Sequence, residues 1–416
     1  MKFYFTLTFL FIINCASAQI IISGKVIDEK TKQGISGVSV YLNNSTFGGQ
    51  TDTAGRFLFK ATLIGKTTLI ISHLAYERKV YSLEDKNVES LLFSLKPQTN
   101  VLNEVVIKSK KYSKADLTKW ITLFSLNLIG TYKGAGHSTR LTNKEALYFD
   151  FDNSNNNLHV FAKAPLIVEN DFLNYKITID LERFEYNFNT NEVLFKYFAF
   201  YEDSPRKVLT TSQIQKNRIY AYEGSAMHFM RSVFKNNLEA QWFDVYQYDA
   251  ELNKEKSRIE KIIRQKKAEA YVKYNTPDLT LNGLFSGDTL KYYKDVLNQA
   301  TVIKSEFSPV AVSKFITKDK QTRTINFNFP DTLTVTYDVN KLNREKKIAA
   351  MMGKNKDRTD IPQPIYLYTY MYFFKPEGIN IRSNGYYPEL SLFMWGDMAE
   401  RRIAMSLPYD FDITSP

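Results

Sequence analysis

Thr51-Asp52-Thr53-Ala54-Gly55-Arg56-Phe57-Leu58-Phe59 decides the fold of the first part of this chain. An Asp side chain accepts hydrogen bonds from backbone N–H groups two or three residues on, and a following Gly supplies a positive φ. Asp52 and Gly55 therefore predict a tight turn. Beyond it Phe57 and Phe59 alternate with Leu58 and Lys60, a strand with one aromatic face. The same punctuation recurs on both sides. Ile20-Ile21-Ile22 and Val26-Ile27 flank Ser23-Gly24 as two short strands, and Asp28 to Gly34 is a polar turn. Val38, Val40 and Leu42 alternate after a bend bracketed by Gly34 and Gly37, and Thr68 to Ser72 and Leu91 to Leu95 complete the set. Short strands between regularly spaced turns predict a β-sandwich or barrel.

Three blocks carry a more specific likeness: Gly24-Lys25-Val26-Ile27-Asp28, Gly34-Ile35-Ser36-Gly37-Val38-Ser39-Val40, and Thr51 to Phe57. In this order they resemble the carboxypeptidase regulatory-like domain family. The resemblance implies a seven-stranded transthyretin-like, Ig-like sandwich over residues 19–108. Peptidase chemistry does not come with it. Zinc carboxypeptidases place His and Glu three apart, and none of His73, His137, His159 or His228 is followed by Glu at that spacing. Zinc carboxypeptidase activity is rejected, and no metal or other cofactor is expected. Asp52 has no His or second carboxylate beside it and reads as a turn residue. Leu102-Asn103-Glu104-Val105-Val106-Ile107 is similar to the segment following this domain in TonB-dependent outer-membrane receptors, but the roughly 300 residues left cannot form a 22-stranded barrel.

Lys2, the apolar run Phe3 to Ile13 and Ala16-Ser17-Ala18 predict a signal peptide over 1–18, cleaved before Gln19. The mature protein is expected in the periplasm or at the outer membrane. Lipidation through Cys15 is the less favoured route, because Asn14 stands where a small residue is expected. Cys15 is the only cysteine, so the mature fold is held by burial, with 30 Phe, 27 Tyr and 3 Trp supplying apolar surface. The net charge of +11 is interleaved with acids. Together with export this argues against nucleic acid; the charge serves solubility or, in the sharper reading, attracts an envelope protein or an anionic envelope component as partner. No later run reaches the ~20 apolar residues of a transmembrane helix.

Residues 109–416 read as a larger antiparallel α+β domain. Ser113 caps an amphipathic helix carrying Leu117, Trp120, Ile121, Phe124 and Leu128, and a strand meander follows from Leu147 to Phe200. Ser225 caps a second helix whose first turn carries His228, with Arg231 one turn on. A helix N-terminus attracts negative charge, so Ser225, His228 and Arg231, joined by Arg218 and Tyr222, form a candidate anion site. The structural alternative is a docked helix whose His228 and Arg231 satisfy buried carbonyls. Thr324 to Phe329 and Leu333 to Tyr337 are expected to join at Pro330-Asp331, and Ile365 to Phe374 to pair with Ile379 to Ile381. The charged stretch Lys341 to Asp360 is expected as a loop. Ala164 to Asn170, Tyr175, Asn217 to Ser232 and Leu407 to Asp410 resemble the C-terminal region of bacterial envelope proteins with a carboxypeptidase-like regulatory domain, which implies no assigned activity. The expected function is a non-catalytic envelope binding or adaptor protein with the sandwich as docking or spacer module. The alternative is a hydrolase or transferase acting on an envelope glycan or peptide through Asp397, Glu400 and Asp410 near Arg401 and Arg402.

Overall fold

The computed structural model describes residues 19–62, 67–83, 88–98, 112–206, 208–274, 280–351, 363–373, 376–388 and 391–413. The expected signal peptide, Cys15 and the 102–107 segment lie outside them. The sandwich contains β1 (Gln19–Asp28), β2 (Ser39–Leu42), β3 (Gly48–Gln50), β4 (Arg56–Thr62), β5 (Thr67–Ser72), β6 (Lys79–Leu83) and β7 (Leu91–Leu95). Its sheets run β4-β1-β7 and β3-β2-β5-β6. Ile22, Val26, Val38, Val40, Phe57, Leu69 and Phe93 fill the space between them. Asp52 Oδ1 accepts the N–H groups of Ala54 and Arg56 at 2.9 and 2.8 Å, and Gly55 has φ 77°. The two strands expected around Ser23-Gly24 are one ten-residue strand. Gly24 sits inside it because a side chain there would land on the Leu91 carbonyl of the parallel neighbour β7.

The next unit begins with α1 (Lys114–Ile129), whose cap Ser113 accepts the Asp116 N–H and whose Trp120, Phe124 and Leu128 are buried. They cover β8 (Thr139–Leu141), β9 (Leu147–Asp152), β10 (Asn157–Ala162), β11 (Leu166–Asn170), β12 (Tyr175–Asn187) and β13 (Val193–Asp203). Long β12 is the centre: β11 and β10 share one of its sides and β13 pairs with the other, all antiparallel. Helices α2 (Thr211–Tyr222) and α3 (Ala226–Lys235) lead onward.

The remaining strands are β14 (Phe243–Leu252), β15 (Val302–Pro309), β16 (Ile316–Asp319), β17 (Thr324–Phe327), β18 (Thr332–Asp338), β19 (Tyr366–Phe373), β20 (Ile379–Ile381) and β21 (Leu392–Gly396). They form a five-stranded sheet β15-β14-β18-β19-β21 and a three-stranded sheet β16-β17-β20. The strands expected on either side of Pro330-Asp331 are present but lie in different sheets, and the expected pairing of Ile365 to Phe374 with Ile379 to Ile381 is corrected. β17 pairs with β16 and β20, while β18 and β19 pair with each other in the larger sheet. Phe327, Ile379 and Ile381 serve a core between the two sheets, whereas Leu333, Val335 and Met371 line its other side. The stretch expected as a loop opens as helix α4 (Lys341–Met351), whose Arg344 pairs with Asp338; residues 352–362 lie outside the described set. No helix among the described residues is long and apolar enough to cross a membrane.

The sandwich is fastened to the six-stranded sheet by a polar seam. Buried Asp180 on β12 accepts the Tyr41 hydroxyl at 2.5 Å and the Ser72 hydroxyl at 2.7 Å, with Arg78 3.7 Å away. Backbone bonds extend the seam: Asn44 N–H donates to Ala199 O, Tyr201 N–H to Ser45 O, and Tyr409 N–H to Asn44 O. Tyr41, Ile70, Phe198 and Phe200 seal it with apolar surface.

Candidate functional site

Ser225 caps α3 by accepting the His228 N–H at 3.1 Å. His228 is buried, and its Nδ1 accepts the Gly224 N–H at 3.1 Å, so Nε2 carries the proton and donates to Gln241 Oε1 at 2.9 Å. Tyr222, Phe243 and Tyr337 surround the ring. Arg231 lies over Tyr222 and donates to the carbonyls of Asn384, Tyr409 and Phe411. Arg218 is drawn elsewhere: it stacks on Tyr175 at 3.9 Å and binds the Leu173 carbonyl and the Asp203 carboxylate. Tyr222, Ser225, His228 and Arg231 are thus neighbours, and Arg218 is tied to the six-stranded sheet. The arrangement is that of a helix docked by its polar side chains.

Burial holds the His228 pKa at about 4, against an ordinary 6.5. The unfolded chain then takes the proton more readily. This group's stabilisation is complete above ~pH 6.5 and lost as the pH falls towards 4. Going from about pH 7.5 to about pH 4.5, wild type should lose about 2–3 kcal/mol more than His228→Gln. Urea midpoints of both proteins at the two pH values check this, and parallel losses would contradict it.

The three carboxylates of the hydrolase reading occupy separate environments. Asp397 accepts the Tyr132 hydroxyl at 2.6 Å and pairs with buried Arg401 at 2.9 Å. Glu400 is exposed. Asp410 accepts the backbone N–H and the hydroxyl of Thr46 across the domain boundary, and burial pushes its carboxyl up. A cleft of about 440 Å³ opens beside it, between the sandwich residues Phe47 and Thr68 and the side chains of Lys235, Arg382 and Tyr386.

A different surface stands out on the five-stranded sheet. Its inner face is core, and alternation turns the other residues outward. All four outward positions of β19 are tyrosine: Tyr366, Tyr368, Tyr370 and Tyr372. β21 adds Phe393 and Trp395, and Trp395 is 65% exposed. One register row runs Tyr246, Thr334, Tyr370, Trp395 across four strands. Tyr370 and Trp395 lie 5.1 Å apart at 26°, Tyr372 and Phe393 4.8 Å apart at 31°, and Tyr248 and Phe307 5.0 Å apart. Between the rings Thr334 and Thr336 are buried, and neither hydroxyl has a hydrogen-bond partner. An unpaired buried hydroxyl costs free energy. Thr334→Val, which keeps the shape, should therefore stabilise the protein by up to about 1 kcal/mol in thermal or urea unfolding; a loss of stability would show that the hydroxyl is satisfied.

Against this geometry, the family comparison concerns the sandwich. Residues 22–107 are a CarboxypepD_reg-like domain. The match ends before α1, so it covers one wall of the cleft and none of the aromatic face. No curated protein matches the chain. Among solved structures, a 9R-lipoxygenase from Cyanothece is similar over 54% of this chain at 10% identity and a TM-score of 0.16, a likeness that carries no argument. The aligned part spans 48%, about half, of that protein's length. The alternating tyrosines of β19 could be read from the sequence as a strand. Their joining with Trp395, Tyr246 and Thr334 depends on long-range pairing.

Proposed function

We infer that this is a non-catalytic binding protein of the cell envelope. The CarboxypepD_reg-like sandwich acts as a fixed docking module, and the outward face of β14, β18, β19 and β21 contacts the partner. One observation carries the reading: buried, unpartnered Thr334 and Thr336 hydroxyls lie within a broad field of exposed rings. Soluble proteins rarely leave so contiguous an aromatic patch in water unless it meets something. The signal-peptide features of residues 1–18 support an envelope location, and the seam around Asp180 favours a sandwich that moves with the rest of the chain. The hydrolase reading draws little support from Asp397 and Asp410, which serve separate hydrogen-bonded contacts, and from Glu400, which is exposed.

Affinity capture of the tagged protein from its own envelope tests the reading. The Tyr370→Ala/Trp395→Ala double variant should fold normally and lose the component that wild type retains. Retention of the same components by both proteins would count against it, as would recovery of the protein outside the envelope fraction.

A further inference from the structure

We propose that the aromatic face takes a linear chain of neutral sugar residues, an inference that rests on reading that face as the binding surface. The face is built of rings rather than branched aliphatics. Tyr368, Tyr370, Tyr372, Phe393 and Trp395 lie on adjacent strands, and Ile303 is an exposed aliphatic at its edge. Tyr370 and Trp395 stack on each other at 26° and Tyr372 and Phe393 pack at 31°, so rings of neighbouring strands brace one another while Trp395 keeps 65% of its surface exposed. An aromatic face carries partial negative charge. The C–H groups on one side of a pyranose, made positive by their oxygen neighbours, complement it.

A sugar also brings hydroxyls that need partners once water is displaced. The face supplies tyrosine hydroxyls at its surface, on side chains exposed along β19. A protein hot spot instead pairs a few buried anchors with pockets that receive them. This surface is a shallow field of rings in register rows, the shape of an extended chain rather than of an anchor residue.

Charge selects the class of sugar. The outward strand positions carry the carboxylates Asp244 and Asp338 and no Lys or Arg. Arg344, which reaches the Asp338 end, is paired with Asp338. An acidic glycan laid here meets exposed Asp244 and finds no cation at these strand positions, since Asp338 is buried and already paired, and a neutral one has no such opposition.

The chain from Gln19 onward, labelled and applied to a printed array of neutral and acidic glycans, provides the test. The strongest neutral binder is then titrated calorimetrically. Neutral linear oligosaccharides should bind saturably. Trp395→Ala and Tyr370→Ala should each weaken binding about tenfold or more, the effect of removing one stacking ring. Tyr292→Ala, an exposed ring in the helical stretch before β15, should leave binding unchanged. No binding to neutral glycans, binding to acidic glycans only, or equal binding by Trp395→Ala would overturn the proposal. If neutral glycans fail but envelope capture still depends on Tyr370 and Trp395, a protein partner takes the face and the binding reading survives. If capture is also indifferent to those rings, both fall.

Discussion

Arg401→Ala is expected to lower the unfolding free energy by about 3–5 kcal/mol. Arg401 is buried just after the short helix that follows β21, and it joins three parts of the fold. Its Nε and Nη2 hold Asp397, while Nη1 donates to the carbonyls of Ala221 and Glu223 at the end of α2. Its guanidinium also lies 5.1 Å from the Tyr132 ring centre. Truncation leaves a carboxylate 10% exposed at its side chain without its cation, and two carbonyls without their donor. Asp397→Ala leaves the opposite orphan, and the double variant should recover part of either loss. Urea unfolding of the three proteins measures the coupling; a loss below about 1 kcal/mol in Arg401→Ala would mean that water reaches these groups.

Asp180→Ala is expected to cost about 2–4 kcal/mol and to separate the melting of the sandwich from that of the rest. Two buried hydroxyls, Tyr41 and Ser72, lose their acceptor, and Arg78 keeps Glu182, 3.6 Å away, and the Phe198 ring. Burial, reinforced by the neighbouring carboxylate, already pushes the Tyr41 hydroxyl far above the ordinary tyrosine range, so it stays a donor throughout the accessible pH range. Calorimetry should show one transition in wild type and two in the variant. Asp180→Asn keeps an acceptor and should fall between them. A single unshifted transition in Asp180→Ala would mean that the backbone bonds from Asn44 and Tyr201 hold the seam by themselves.

Local chemistry accounts for what was legible in the sequence. The Asp52/Gly55 turn, the Val38/Val40 alternation and the Ser225 cap are each decided within a few residues, and strands and helices follow from them. Pairing across distance was not legible. Tyr366–Phe373 reads as a strand, but nearness in sequence suggested Ile379–Ile381 as its partner, whereas β18 and β21 flank it. Lys341–Met351 looked like a loop because it is charged on most sides; it is nevertheless helical, with Arg344 directed at Asp338. The candidate anion site was partly legible. Ser225, His228 and Arg231 share a helix, but the carbonyls of Asn384, Tyr409 and Phe411 that occupy Arg231 come from far along the chain. The aromatic face needed four strands in register before it became a surface.

The central claim is that this face is where the protein meets its partner. Hydroxyl-radical footprinting of the intact protein, with and without solubilised envelope, tests it residue by residue. Tyr368, Tyr370, Tyr372, Phe393 and Trp395 should become protected together, while exposed Tyr292 and Phe161 should react as before. Unchanged reactivity at Trp395 and Tyr370, with protection appearing around Lys235 and Arg382 in the inter-domain cleft, would contradict the claim and move the binding site there.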